Sequence, residues 1–138
     1  MALILAMACA HGKVMSTSCQ NTPTVEACVW EAQRDITDQC LRDCVIAGCQ
    51  GVQIDCTSDE VRARCEVKRS GGSIGGYAKH RGRTCEAPGN EVAWCELAVS
   101  EHCRAVMMVH ELAHRCGWEH GDGHGVPGNG GNYQCNDE

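Results

Sequence analysis

Residues 110–120 read His-Glu-Leu-Ala-His-Arg-Cys-Gly-Trp-Glu-His, and they carry the densest set of chemically able side chains in this 138-residue chain. His110 and His114 lie one helical turn apart, so on a helix both imidazoles leave the same face and can share a metal ion. Glu111 is the next residue after His110 and points about 100° further around the axis. It is thereby placed to touch a water on the metal without being a ligand. Gly117 stands where such a helix must stop and the chain turn sharply, a position suited to a positive φ. The turn brings His120 back under the helix as a third ligand. Three neutral imidazoles leave a dication with net charge and an open position, which is the pattern of a catalytic rather than a structural zinc. The expected cofactor is therefore one Zn2+ on His110, His114 and His120, with Glu111 as the catalytic residue.

In a random string of this composition, His-Glu-x-x-His is expected roughly 0.03 times, and with Gly at +7 and His at +10 about two times in ten thousand. The longer pattern therefore calls for an explanation. It resembles the metzincin clan of zinc metallopeptidases, whose H-E-x-x-H-x-x-G-x-x-H is matched at His110, Glu111, His114, Gly117 and His120. The resemblance covers eleven of 138 residues. It implies a zinc site in a horizontal cleft, an active-site helix ending at the Gly, and endopeptidase activity on a protein or peptide substrate. The family also carries a Met-turn after the third His, whereas Met107 and Met108 are the last methionines here. Either another residue floors the metal site, or the likeness to the family is one of analogy. The stretch from Cys116 to Gly128 is also similar to metallopeptidase domains at the C-termini of bacterial secreted toxins.

The mechanism so implied is metal-assisted hydrolysis, in which Glu111 takes the proton of a water and delivers it to the leaving amine. Asp122 and Glu119 are candidates for a carboxylate that orients the histidines, and Tyr77 and Tyr133 for stabilising the oxyanion. His124 is a rival to His120 as third ligand, although the family spacing favours His120. His11, His80 and His102 read as ordinary surface or core histidines.

The elements that must position these groups are legible in outline. Thr22 and Pro23 suggest a helix start before Val25, and residues 25–47 contain no Gly or Pro, with Gly48 as the stop. Asp35, Thr37 and Asp38 offer a break that would divide this stretch into two shorter helices. Cys40 and Cys44, four apart, face one side and suit two partners on a neighbouring element. Residues 51–56 suggest a short strand. Residues 58–68 suggest a helix capped by Ser58 or Asp59. The Gly-rich stretch 70–77 is extended or an edge strand, and it lacks the Lys-Ser/Thr of a phosphate loop. From Asn90, a plausible cap, residues 91–116 lack Gly and Pro and read as one long helix, with 105–109 buried. An irregular tail from Gly121, held by Cys135, follows.

The composition is unusual for a globular chain: no Phe, 4% aromatic residues, 16 Gly and 13 Cys. So few aromatics leave a core of Val, Leu, Ile, Ala and Met, and disulfides would offset the missing apolar area in an oxidising compartment. An odd number leaves at least one thiol free or shared between chains. Cys9 and Cys19 are candidates for a thiol that blocks the metal and holds an enzyme latent. Cys116 reads as a staple, Trp118 as packed under the turn, and Trp30 and Trp94 as core residues. A net charge of −6 argues against nucleic acid and anionic membrane as partners. Residues 1–10 are apolar, too short to span a bilayer, and read equally as a signal remnant or a buried first element.

The sequence thus points to an α+β fold, a compact, mostly helical single domain over residues 1–138, with a few short strands and several disulfides. The expected activity is that of a secreted or extracellular zinc endopeptidase, a bacterial toxin or effector being one form of it. Two other readings stand beside it: a zinc amidohydrolase acting on a small or cell-wall amide, and a secreted module with a structural zinc site. No oligomeric state is read from the sequence.

Overall fold

The computed structural model of the chain describes residues 19–71, 76–78, 85, 91–96, 99–130 and 135. In chain order they form α1 (Val25–Asp35), α2 (Gln39–Gly51), β1 (Gln53–Asp55), α3 (Asp59–Gly71), β2 (Gly76–Ala78), β3 (Glu91–Trp94) and α4 (Glu101–Arg115). This is a disulfide-rich, mostly helical α+β arrangement. The first ten residues, Tyr133, His11 and His80 lie outside the described residues.

The break expected near Asp35–Asp38 is present: Ile36 is extended, and the Asp38 side chain accepts from Leu41 N at 2.8 Å to start α2. Two details differ from the sequence reading. The cap of α1 is Thr24 rather than Thr22, because it is the Thr24 hydroxyl that accepts from Ala27 N at 3.1 Å. Gly48 does not stop α2, which runs on to Gly51; a buried glycine inside a helix loses propensity but not its hydrogen bonds. Ser58 does start α3, its Oγ accepting from Val61 N.

The larger correction falls on residues 91–116. They are not one helix: Glu91–Trp94 is a strand, and α4 begins only at Glu101, capped by Ser100, whose Oγ accepts from Cys103 N at 3.2 Å. Lack of Gly and Pro permits a helix without requiring one, and Val and Trp suit a buried strand equally well. The strand order is β1-β3-β2, with β3 parallel to β1 (Ile54 opposite Val92) and antiparallel to β2 (Tyr77 opposite Ala93). Alternation along β3 decides what each face covers. Val92 and Trp94 join the main core, whereas Ala93 and Cys95 pack with Val61 and Cys65 of α3 on the other side.

The main core gathers Cys28 and Ala32 of α1, Leu41, Val45 and Cys49 of α2, and Met107, Met108, Val109, Leu112 and Ala113 of α4. Ten of the fifteen residues of α4 are buried, so this helix is the centre of the molecule, with α1 and α2 packed on it and β2 running beside it. Trp94 is a core residue as expected, but Trp30 is 54% exposed, with the Arg34 guanidinium 4.8 Å from its ring centre. Trp30 lies on the outer face of an amphipathic helix whose inner face is taken by Cys28, Glu31 and Ala32.

Six disulfides tie these elements together: Cys19–Cys56, Cys28–Cys49, Cys40–Cys85, Cys44–Cys116, Cys65–Cys95 and Cys103–Cys135. Cys40 and Cys44 reach two partners, but not on one element: Cys116, a staple, caps α4, whereas Cys85 lies in a turn outside the helices and strands. Cys19 is bonded to Cys56 and is no blocking thiol. Cys9, the thirteenth cysteine, lies outside the described residues. Among the described residues no helix is long and apolar enough to cross a membrane.

Candidate metal centre

The end of α4 is a Schellman turn. Gly117 N donates to His114 O and Trp118 N to Ala113 O, each at 3.0 Å, and Gly117 takes φ 89°. Only glycine adopts that conformation without strain, so the sharp reversal expected at Gly117 is present. It sends the chain back beneath the last turn of the helix. Cys44–Cys116 pins the same turn to α2.

The reversal converges three imidazoles. The Nε2 atoms of His110, His114 and His120 lie 3.1 Å from one another in every pair. Ligands of a tetrahedral zinc at about 2.0–2.1 Å stand about 3.3–3.4 Å apart, so this triangle closes around one ion with a few tenths of an ångström of adjustment. The other ring nitrogens decide the protonation. His110 Nδ1 is 2.6 Å from Pro127 O, and His114 Nδ1 is 2.9 Å from Trp118 O. A carbonyl oxygen only accepts, so both Nδ1 atoms carry hydrogen and both Nε2 atoms of the neutral rings present lone pairs. Two lone pairs facing each other at this distance repel, unless a cation lies between them. Burial keeps the rings neutral: it pushes His110 down to about 4, and it lowers His114 as well.

His110 is buried, His114 half-buried and His120 exposed, so one side of the triangle opens to solvent. The group of converging ligand atoms is made of these three histidines, with no Cys, Asp or Glu of the described residues joining it. The chemistry of the donor set, three imidazole nitrogens, suits a borderline cation such as zinc and leaves a coordination position unfilled. Glu111 shares the last turns of α4 with His110 and His114 and is 3% exposed.

The loop beyond the helix is held by its own backbone. Asn129 Oδ1 accepts from Gly121 N and Gly123 N, at 3.1 and 2.8 Å, and Asp122 Oδ2 accepts from Glu119 N at 2.9 Å. Thr37 N, in the link between α1 and α2, donates to His124 O at 2.9 Å. Gly125 takes φ 75°, and a Cβ built there would collide with the Asp35 carbonyl oxygen, so this contact requires glycine. The loop is thereby docked on α1, with Pro127 O aimed at His110.

These contacts sort the remaining expectations. Asp122 and Glu119 do not orient the ligand rings of His110 and His114. Carbonyls of Trp118 and Pro127 do, and Asp122 braces the loop instead. His124 is exposed, has φ 58° and does not join the converging group. His102 is exposed, with Nδ1 3.8 Å from a Glu31 carboxylate oxygen. Tyr77 lies in β2, but its side chain falls outside what is described. Pro127 and the carbonyl of Trp118 escaped sequence reading because main-chain groups leave no residue signature. The buried indole of Trp118 was accessible as a signal, since a buried Trp N–H demands an acceptor, here Gly123 O at 3.0 Å. The Trp118 ring centre lies 5.3, 5.0 and 5.7 Å from those of His110, His114 and His120. No family model, curated protein or solved structure matches the chain.

Proposed function

We propose that the protein is a zinc-dependent endopeptidase of metzincin type, with His110, His114 and His120 holding the ion and Glu111 acting as the general base. The observation that carries this reading is the closed triangle of Nε2 atoms, 3.1 Å on each side, two of them fixed as lone-pair donors by carbonyls behind the rings. A zinc ion, when bound, supplies a Lewis acid that lowers the pKa of water and polarises the scissile carbonyl. Glu111, one helical step from His110, accepts a proton from the attacking water. It returns that proton to the leaving amine nitrogen, so the carbonyl carbon gains oxygen as the C–N bond breaks.

One feature favours a peptide over a small amide as substrate. β2 is an edge strand of the described sheet and runs beside α4, where an extended peptide can add to it by main-chain hydrogen bonds. The open side of the triad supports catalysis over a purely structural ion. The six disulfides fit an extracellular setting, which supports a secreted enzyme.

The test is cleavage of a denatured protein pool by wild type, Glu111→Ala and chelator-treated protein, with zinc content read in parallel. Expected is cleavage by wild type alone, a loss of at least about a hundredfold in Glu111→Ala, and retained zinc in that variant. Full activity in zinc-loaded Glu111→Ala would reject the role of Glu111. Zinc bound without cleavage of peptides, but with turnover of small amides, would favour the amidohydrolase.

A further inference from the structure

The three imidazoles converge on one point although two come from a helix and one from a loop, and one side chain touches them all. Trp118 is 1% exposed, and its ring lies against His110 at 78°, His114 at 52° and His120 at 78°. Such near-perpendicular and tilted aromatic contacts at 5–6 Å are in the favourable range. The same residue acts at three more atoms. Its N–H closes the Schellman turn on Ala113 O, its carbonyl accepts from His114 Nδ1, and its indole N–H holds Gly123 O. The last bond fixes the loop shortly before Pro127, whose carbonyl orients His110.

We infer that Trp118 is the positioning residue of the metal centre: its indole is the floor that locks all three imidazole rotamers and pre-forms the triangle before an ion arrives. The backbone bonds of Trp118 are available to any residue at this position. The ring contacts and the Nε1–H bond are not, and they are what substitution removes. The inference rests on the triad holding a divalent cation and is independent of peptide hydrolysis.

Cobalt(II) is the probe, because its visible spectrum reports coordination geometry without any assay of activity. Wild type, Trp118→Phe, Trp118→Leu and His120→Ala are titrated with cobalt, with far-UV circular dichroism of each metal-free protein as the control of fold. Groups that orient metal ligands typically contribute 10–100-fold to affinity. Trp118→Leu should therefore bind cobalt about 10–100-fold more weakly, with an altered spectrum. Trp118→Phe, which keeps a ring on the floor but loses the bond to Gly123 O, should retain the wild-type spectrum with a smaller loss of affinity. Trp118→Leu with wild-type spectrum and affinity within about twofold overturns the inference while leaving the metal reading intact. Should Trp118→Leu not fold, Trp118→Met, which fills the site without a ring, takes its place: binding about 10–100-fold weaker supports the inference, and affinity within about twofold of wild type overturns it. A wild type that takes up no cobalt, or a His120→Ala that binds cobalt as wild type does, overturns the metal reading and this inference together.

Discussion

His110 and His114 are oriented by carbonyls, so the ring tautomers of the candidate centre depend on where the main chain runs after α4. That path is set at Gly117, whose φ of 89° costs other residues about 1–3 kcal/mol. Gly117→Ala should lower stability by about 1–3 kcal/mol in denaturant unfolding, and should weaken zinc binding further by displacing His120. Zinc affinity equal to wild type in the folded variant would contradict the role given to the turn. At this scale much was legible in the sequence. The spacing of His110, His114 and His120 is a statement about helical geometry followed by a reversal, and both are present. The partners of the Nδ1 atoms were not legible, because a carbonyl seventeen residues away from His110 is chosen by the loop path and not by any side chain. A carboxylate was the natural expectation, and Asp122 is spent on the loop instead.

Among the elements, α1 carries the most unusual ionisable group. Glu31 is fully buried, and burial together with the neighbouring Asp35 carboxylate raises it from 4.5 to about 7, against the opposing pull of Arg34 at 2.9 Å. His102 Nδ1 lies 3.8 Å from the other Glu31 oxygen. The sign follows from proton counting. Below about pH 4.5 the folded and unfolded chains both hold the proton. Between 4.5 and about 7 only the folded chain holds it, so stability falls as pH rises through this window and levels above it. Glu31→Gln should remove that slope and stabilise the protein at pH 8 by on the order of 1–3 kcal/mol, read from denaturant unfolding at several pH values. An unchanged slope would place the titrating group elsewhere. Helices with hydroxyl or carboxylate caps were largely readable from sequence, to within two residues at Thr24 and Asp38. The strand Glu91–Trp94 was not, since four residues show too little alternation to separate strand from buried helix, and its partners β1 and β2 are remote in sequence.

For the molecule as a whole, cross-links stand in for aromatic core: Phe is absent from the sequence, and all twelve cysteines among the described residues are paired. Cys44–Cys116 closes a separation of 72 residues and ends at the turn that aims His120. The double variant Cys44→Ser, Cys116→Ser should lose about 3–5 kcal/mol of stability, and it should bind zinc more weakly even where it remains folded. Zinc affinity untouched by that loss would mean that the metal loop holds itself, through Trp118 and Asn129, without the staple. The pairing pattern was beyond the sequence, because six bonds among thirteen cysteines admit very many connectivities, and only the packing of the elements selects among them, as that of α2 against α4 does for Cys44–Cys116. The most direct measurement is the zinc content of wild type and His120→Ala after dialysis against limiting zinc. One ion per wild-type chain, lost or bound at least about tenfold more weakly in His120→Ala, is the expected result. Wild type without stoichiometric zinc, or His120→Ala with wild-type zinc, would contradict the centre built on His110, His114 and His120.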